Sequence, residues 1–150
     1  MNANLSICSL QDTRALGFKI GQFVKEGTVI TLSGDLGAGK TTLTQSIAKG
    51  LGITKTVSSP TFTICKIYHG RLPLYHFDAY RLEGSDEELG FEEMIEGDGL
   101  AVIEWPQYIE SMIPEDVLNI SIHLTGEETR EFYFEACGEK SIALLKEINY

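Results

Sequence analysis

The chain has no apolar run approaching the roughly 20 residues that a membrane-spanning helix needs, so no bilayer-crossing segment is expected. Its N-terminus shows no basic segment followed by an apolar one, so no secretory signal is predicted. Only three cysteines occur, Cys8, Cys65 and Cys137, far apart and without paired-ligand spacing. They exclude a disulfide framework and a zinc site, and read as reduced thiols of a cytoplasmic protein. Arginine is scarce: Arg14, Arg71, Arg81 and Arg130 are the only four. Between residues 82 and 129 there is no Lys or Arg at all, against fourteen Asp and Glu. The stretch 1–81 carries nine basic and four acidic residues, 130–150 three and four, and the net charge is −10. Such a chain is a poor candidate for gripping nucleic acid directly, since phosphate contacts dominate that affinity. The acidic stretch has two readings, a docking face for a basic partner or a solvated helix with loops.

What is present is ordinary in bulk and specific in one place. A length of 150 residues with 43% apolar residues suits a single domain, 1–150, with a real core. Within it, Gly34-Asp35-Leu36-Gly37-Ala38-Gly39-Lys40-Thr41 is a complete G-x-x-x-x-G-K-[ST] phosphate-binding loop. Its glycines let the backbone curl with N–H groups turned inward, a cradle for phosphate oxygens. Lys40 reaches the β- and γ-phosphates, Thr41 offers a hydroxyl to Mg²⁺, and the following helix adds the positive end of its dipole. Context agrees. Thr28 to Ser33 is a β-branched apolar run, and Leu43, Ile47, Ala48 and Leu51 recur at helical spacing after the loop.

Elsewhere the pattern predicts a short strand over Leu5–Cys8. A helix is expected over Gln11–Lys25, with Leu16, Ile20, Phe23 and Val24 on one side. Thr61–Tyr68 and Leu72–Asp78 read as a hairpin around His69-Gly70. Residues 83–98 are acidic and partly helical, with Leu89, Phe91, Met94 and Ile95 inward. Leu100–Ile103 is wholly apolar, the mark of a strand buried on both faces. A short helix is expected over Gln107–Ile113. Two alternating strands follow across Gly126, with Leu118, Ile120, Ile122 and Leu124 set against Phe132, Phe134 and Ala136. Residues 138–150 read as a weak helix or frayed tail. The total is an α/β fold, a mixed parallel and antiparallel sheet flanked by helices.

A phosphate loop needs a metal partner from another strand end, where open α/β sheets collect ligands. Two acids directly follow convincing strands, Asp78 and Glu104. Four apolar residues followed by Glu104 form a Walker B pattern, whose carboxylate holds Mg²⁺ directly or through water, or orients the attacking water. Ser59-Pro60-Thr61 stands where nucleotide switches place a loop sensing the γ-phosphate, or is an ordinary proline turn.

The loop Gly34–Thr42, then Ser59-Pro60-Thr61-Phe62, His76-Phe77-Asp78-Ala79-Tyr80-Arg81 and Glu104-Trp105-Pro106 resemble, in order and spacing, the bacterial TsaE (YjeE) family. The similarity runs from about Ser9 to Arg130. It implies a P-loop NTPase-like three-layer fold and a cytoplasmic ATPase that helps make threonylcarbamoyladenosine on tRNA. By the same resemblance the partners are TsaB–TsaD, of which TsaD transfers the threonylcarbamoyl group, and tRNA is met only through the complex. The resemblance implies that Lys40 and the loop from Gly34 to Thr42 hold the phosphates of ATP, while Thr41 and Glu104 serve Mg²⁺. Asp78 matches a functionally required acid, Ser59-Pro60-Thr61 a switch-like loop, and Trp105 packs beside the site with His76, Tyr80 and Arg81 in support. Thr13 and Arg130 flank the adenine in that reading.

Rival readings have less support. Thr54-Lys55-Thr56-Val57 lacks the Asp of a guanine-selecting [NT]-K-x-D motif, and Asp98-Gly99 is not a D-x-x-G switch after a strand. A small-molecule kinase closes an arginine-bearing lid over the transferred phosphate, and residues 82–129 have no arginine to supply it. A nucleotide-dependent binding module, in which hydrolysis is incidental, stays open.

Overall fold

The computed structural model describes residues 1–34, 38–58, 64–82, 91–95 and 97–148. Asp35, Leu36, Gly37, Ser59, Pro60, Thr61 and Leu89 lie outside the described residues, as does the side chain of Arg81. In chain order the elements are β1 (Asn2–Ile7), α1 (Leu10–Phe23), β2 (Val29–Gly34), α2 (Lys40–Gly50), β3 (Cys65–His69) and β4 (Pro73–Asp78). Then come α3 (Phe91–Ile95), β5 (Leu100–Glu104), β6 (Val117–Leu124), β7 (Arg130–Cys137) and α4 (Glu139–Ile148).

Among the described residues the strands form one sheet in the order β1-β7-β6-β2-β5-β4-β3. The central strands β6, β2, β5 and β4 are mutually parallel, and antiparallel hairpins extend both edges. All five residues of β5 are buried, as an apolar run with two covered faces requires. The parallel centre matters for function because it aligns the carboxyl ends of β2, β4 and β5 on one rim. Leu32 lies opposite Glu104, and Glu104 opposite Asp78.

Side chains alternate across the sheet. Ile30, Leu32, Leu74, Leu100 and Val102 enter the core under α1, α2 and α4. Val29, Phe77, Ala101 and Ile103 enter the smaller core under α3 and the chain that follows β5. Helices α1 and α2 approach closely through glycines. A Cβ at Gly21 would overlap the Ile47 carbonyl oxygen, and one at Gly50 the Phe18 carbonyl oxygen. This contact seats α2 against α1.

Several expectations change. Phe23 is 45% exposed rather than inward; Thr13, Gly17 and Gly21 complete the buried face of α1 with Leu16 and Ile20. Leu124, at the end of β6, is also exposed. Of the expected 61–68 strand, residues 65–68 lie in β3, and residues 61–63 lie outside the described residues. The expected helix over Gln107–Ile113 is two 3-10 turns, Pro106–Tyr108 and Glu110–Met112. Ile109 leaves helical geometry between them (φ −136°, ψ 33°) as its side chain enters the core. Of the two readings of the C-terminal stretch, the helix is the one that forms, over Glu139–Ile148. α4 buries Leu144, Leu145 and Ile148, and its first turn is capped from a distance. Asp116 accepts from the Lys140 and Ser141 amides and from the Ser141 hydroxyl. Burial acts to raise the Asp116 pKa, but those hydrogen bonds and the Lys140 charge outweigh it and hold the carboxyl below its usual range.

Candidate functional site

The site begins where β2 stops. Gly39, the residue before α2, has φ +109°, a left-handed geometry that favours glycine, and a Cβ there would meet nothing within 4 Å. The N-cap of α2 is Gly39, which has no side chain to cap the helix, and the N-terminus of a helix favours an anion. The hydroxyls of Thr44 and Ser46 turn back to carbonyls one helical turn behind, at Lys40 and Thr42. Thr41, half-buried, stands in the first turn.

Lys40 is only 7% exposed. Among the described residues no carboxylate lies within ion-pair distance of it. Its Nζ rests over the indole of Trp105, 4.4 Å from the ring centroid. A desolvated cation–π contact is worth about 2 kcal/mol, less than a buried ammonium loses in leaving water. Among the described residues, the Trp105 ring is what faces the Lys40 ammonium.

Trp105 reaches that position because its backbone is left-handed (φ 59°, ψ 53°), uncommon for a bulky residue and worth about 1–3 kcal/mol of strain. The conformation turns the chain sharply after β5 and stacks the indole against Tyr80, centroids 5.2 Å apart. Tyr80 also meets Tyr108 edge-on at 5.7 Å. Tyr108 escaped the sequence reading; its one signal was an aromatic residue one 3-10 turn beyond Trp105.

Glu104, the residue before Trp105, is 7% exposed. Its Oε2 lies 2.8 Å from Nε2 of His76, which is fully buried on the neighbouring strand. Asp78 ends β4 on the same face, half-buried, and its Oδ1 accepts the Tyr80 amide, starting the 3-10 turn Ala79–Leu82. The strands thus bring Lys40, Glu104, Trp105, His76, Asp78 and Tyr80 to one rim.

Thr13 and Arg130 both make hydrogen bonds within the protein. Thr13 is buried and its hydroxyl turns to the Ser9 carbonyl of its own helix. Arg130, also buried, donates Nε to the Ala38 carbonyl at 2.9 Å. Its Nη1 donates to the carbonyls of Gly126, Glu127 and Thr129. Arg130 therefore ties the end of the phosphate loop to the β6–β7 turn. No helix among the described residues is long and apolar enough to cross a membrane.

A loop of this composition between β2 and α2, on the carboxyl rim of parallel strands, places the molecule among proteins of the P-loop NTPase fold. Comparison with known proteins narrows the class. Residues 7–132 match the family model described as "Threonylcarbamoyl adenosine biosynthesis protein TsaE", so the chain belongs to the TsaE family. A Bacillus subtilis relative named "tRNA threonylcarbamoyladenosine biosynthesis protein TsaE" is 46% identical over 140 residues, covering 93% of this chain and 89% of its own. A Treponema pallidum protein of the same name is 42% identical over 125 residues, covering 82% and 93%. The crystal structure of Bacillus subtilis YdiB superposes with a TM-score of 0.85 at 39% identity, covering 99% of this chain and 95% of that one.

Proposed function

We propose that this chain is the ATP-binding and ATP-hydrolysing component of tRNA threonylcarbamoyladenosine biosynthesis, acting with TsaB–TsaD in the cytoplasm. The observation that carries the reading is the buried Lys40, without a carboxylate partner among the described residues, at the uncapped start of α2 and beside the Glu104 strand end. The family and the names of its relatives supply the pathway.

The donor set fits a magnesium nucleotide: the start of α2, one ammonium, one hydroxyl and one carboxylate. Bound Mg²⁺ would neutralise charge on the phosphate oxygens, held by Thr41 and Glu104. Lys40 leaves the Trp105 ring for the terminal phosphates, exchanging an aromatic face for an anion. The loop amides and the α2 N-terminus orient the phosphate chain. Trp105, with Tyr80 and Tyr108, walls one side and limits water. Asp78 stands on the rim beside Glu104, placed to contact the attacking water or a partner.

The chain brings few cations of its own. Among its arginines, Arg71 donates to carbonyls at the end of α1 and Arg130 holds the loop. An added cation accelerates phosphoryl transfer by several powers of ten. Hydrolysis by the isolated chain is therefore slow, and partners complete the site. The test is ATP turnover by the purified chain with and without TsaB–TsaD, with GTP as the control. Stimulation selective for ATP supports the reading; turnover that does not rise with TsaB–TsaD contradicts it.

A further inference from the structure

Buried histidines ordinarily satisfy both ring nitrogens. His76 does not. Its ring is fully buried in β4 with Leu74 and Val102 as neighbours on the same sheet face. Nδ1 has no hydrogen-bond partner, and the ring's single bond, from Nε2, goes to Glu104 Oε2 at 2.8 Å. A histidine kept only for packing gains nothing from a buried polar edge facing apolar neighbours. A histidine kept for Glu104 needs one nitrogen only.

We propose that His76 is a positioning residue that fixes the rotamer of Glu104 and decides which carboxylate oxygen serves the metal. This rests on the reading of Glu104 as the metal-side carboxylate. The Nε2–H tautomer donates to Oε2 and leaves a bare lone pair on Nδ1, which is less costly to bury unpaired than an N–H. Oε2 is thereby occupied. Oε1 makes no hydrogen bond among the described residues, and it becomes the oxygen turned to Mg²⁺ or its water. Partners of this kind orient metal ligands, and their loss typically weakens metal affinity about 10- to 100-fold.

Two variants separate positioning from packing. His76→Leu keeps an apolar filling and removes the donor. His76→Gln returns an amide donor at the reach of Nε2. The readout is the factor by which Mg²⁺ tightens binding of a non-hydrolysable ATP analogue, measured by calorimetry. His76→Leu should lose about tenfold or more of that factor while Mg²⁺-free affinity stays within about twofold, and His76→Gln should recover most of it. A full Mg²⁺ effect in folded His76→Leu, or His76→Gln as impaired as His76→Leu, overturns the proposal. Ring ¹⁵N spectra of the wild type give a second readout that needs no ligand. They should show the Nε2–H tautomer, with a signal that shifts in Glu104→Ala. An Nδ1–H tautomer, or a signal indifferent to Glu104→Ala, overturns the proposal even if His76→Leu fails to fold. Absence of nucleotide binding in the wild type would sink the ATPase reading instead, and the ring spectra would still judge the contact.

Discussion

Replacing Arg130 by Met tests whether the phosphate loop is held in shape from behind. The wild-type guanidinium is 7% exposed and makes two hydrogen bonds of 2.9 Å, to the carbonyls of Ala38 and Thr129, and two longer ones at 3.2 and 3.3 Å. Hydrogen bonds to a charged group contribute about 1.5–3 kcal/mol each, and those sharing one side chain do not add fully. Counting the two short bonds and allowing for the apolar stem that Met retains, the loss is about 3 kcal/mol. For a chain of this size that lowers the melting temperature by about 6–12 °C. The Ala38 carbonyl would also lose its anchor, so the loop amides would no longer be pre-aimed, and ATP affinity should fall about tenfold or more. Arg130→Lys should recover less than half of either effect, since an ammonium cannot span the fork between Ala38 and the β6–β7 turn. Scanning calorimetry and ATP titration read both quantities. Arg130→Met melting within about 2 °C of wild type, with unchanged ATP affinity, would refute the reasoning.

Three further outcomes are expected. Glu104→Ala should abolish ATP hydrolysis and lose at least as much of the Mg²⁺ effect on binding as His76→Leu, with Mg²⁺-free nucleotide affinity little changed, and full partner-stimulated turnover by that variant would falsify the Walker B assignment. Asp116→Ala should destabilise the fold by about 1 kcal/mol by uncapping α4. Because the Asp116 pKa is lowered in the folded state, that contribution is present above the usual carboxylate range near pH 4 and is lost as pH falls through the folded value. Melting curves of both proteins should therefore converge on acidification; a constant gap would argue against the cap. Burial pushes the Cys65 thiol up to about 11, so thiolate is scarce there at pH 8. Iodoacetamide should label exposed Cys8 and Cys137 first, with Cys65 reacting only as pH climbs toward that value. Equal labelling at pH 8, read by peptide mass spectrometry, would contradict this.

The parts legible from the sequence are those written locally. A β-branched run marked β2, a wholly apolar run marked β5, and the carboxylates that follow strands marked Asp78 and Glu104 at the ends of β4 and β5. Contacts between distant segments left no local trace. α4 looked weak because its cap, Asp116, lies 24 residues before Lys140. The turn after Trp105 depends on Ile109 entering a core built by other strands. Phe23 fits the helical period of α1, yet the approach to α2 is made through Gly17, Gly21 and Gly50, so the buried stripe rotates away from it. His76 was visible as a residue but not as the partner of Glu104, since only the β4–β5 register joins them. The Trp105 ring under Lys40 needed the left-handed backbone, which no composition rule supplies for tryptophan.

Lys40, a buried cation at the start of α2, is the residue on which phosphate binding depends most. Calorimetric titration of ATP with Mg²⁺ into the wild-type chain and Lys40→Ala tests it most directly. The wild type should bind one ATP per chain, and Lys40→Ala should melt normally but bind at least about tenfold more weakly. Equal affinity in the two proteins, or no binding by the wild type, would contradict the account.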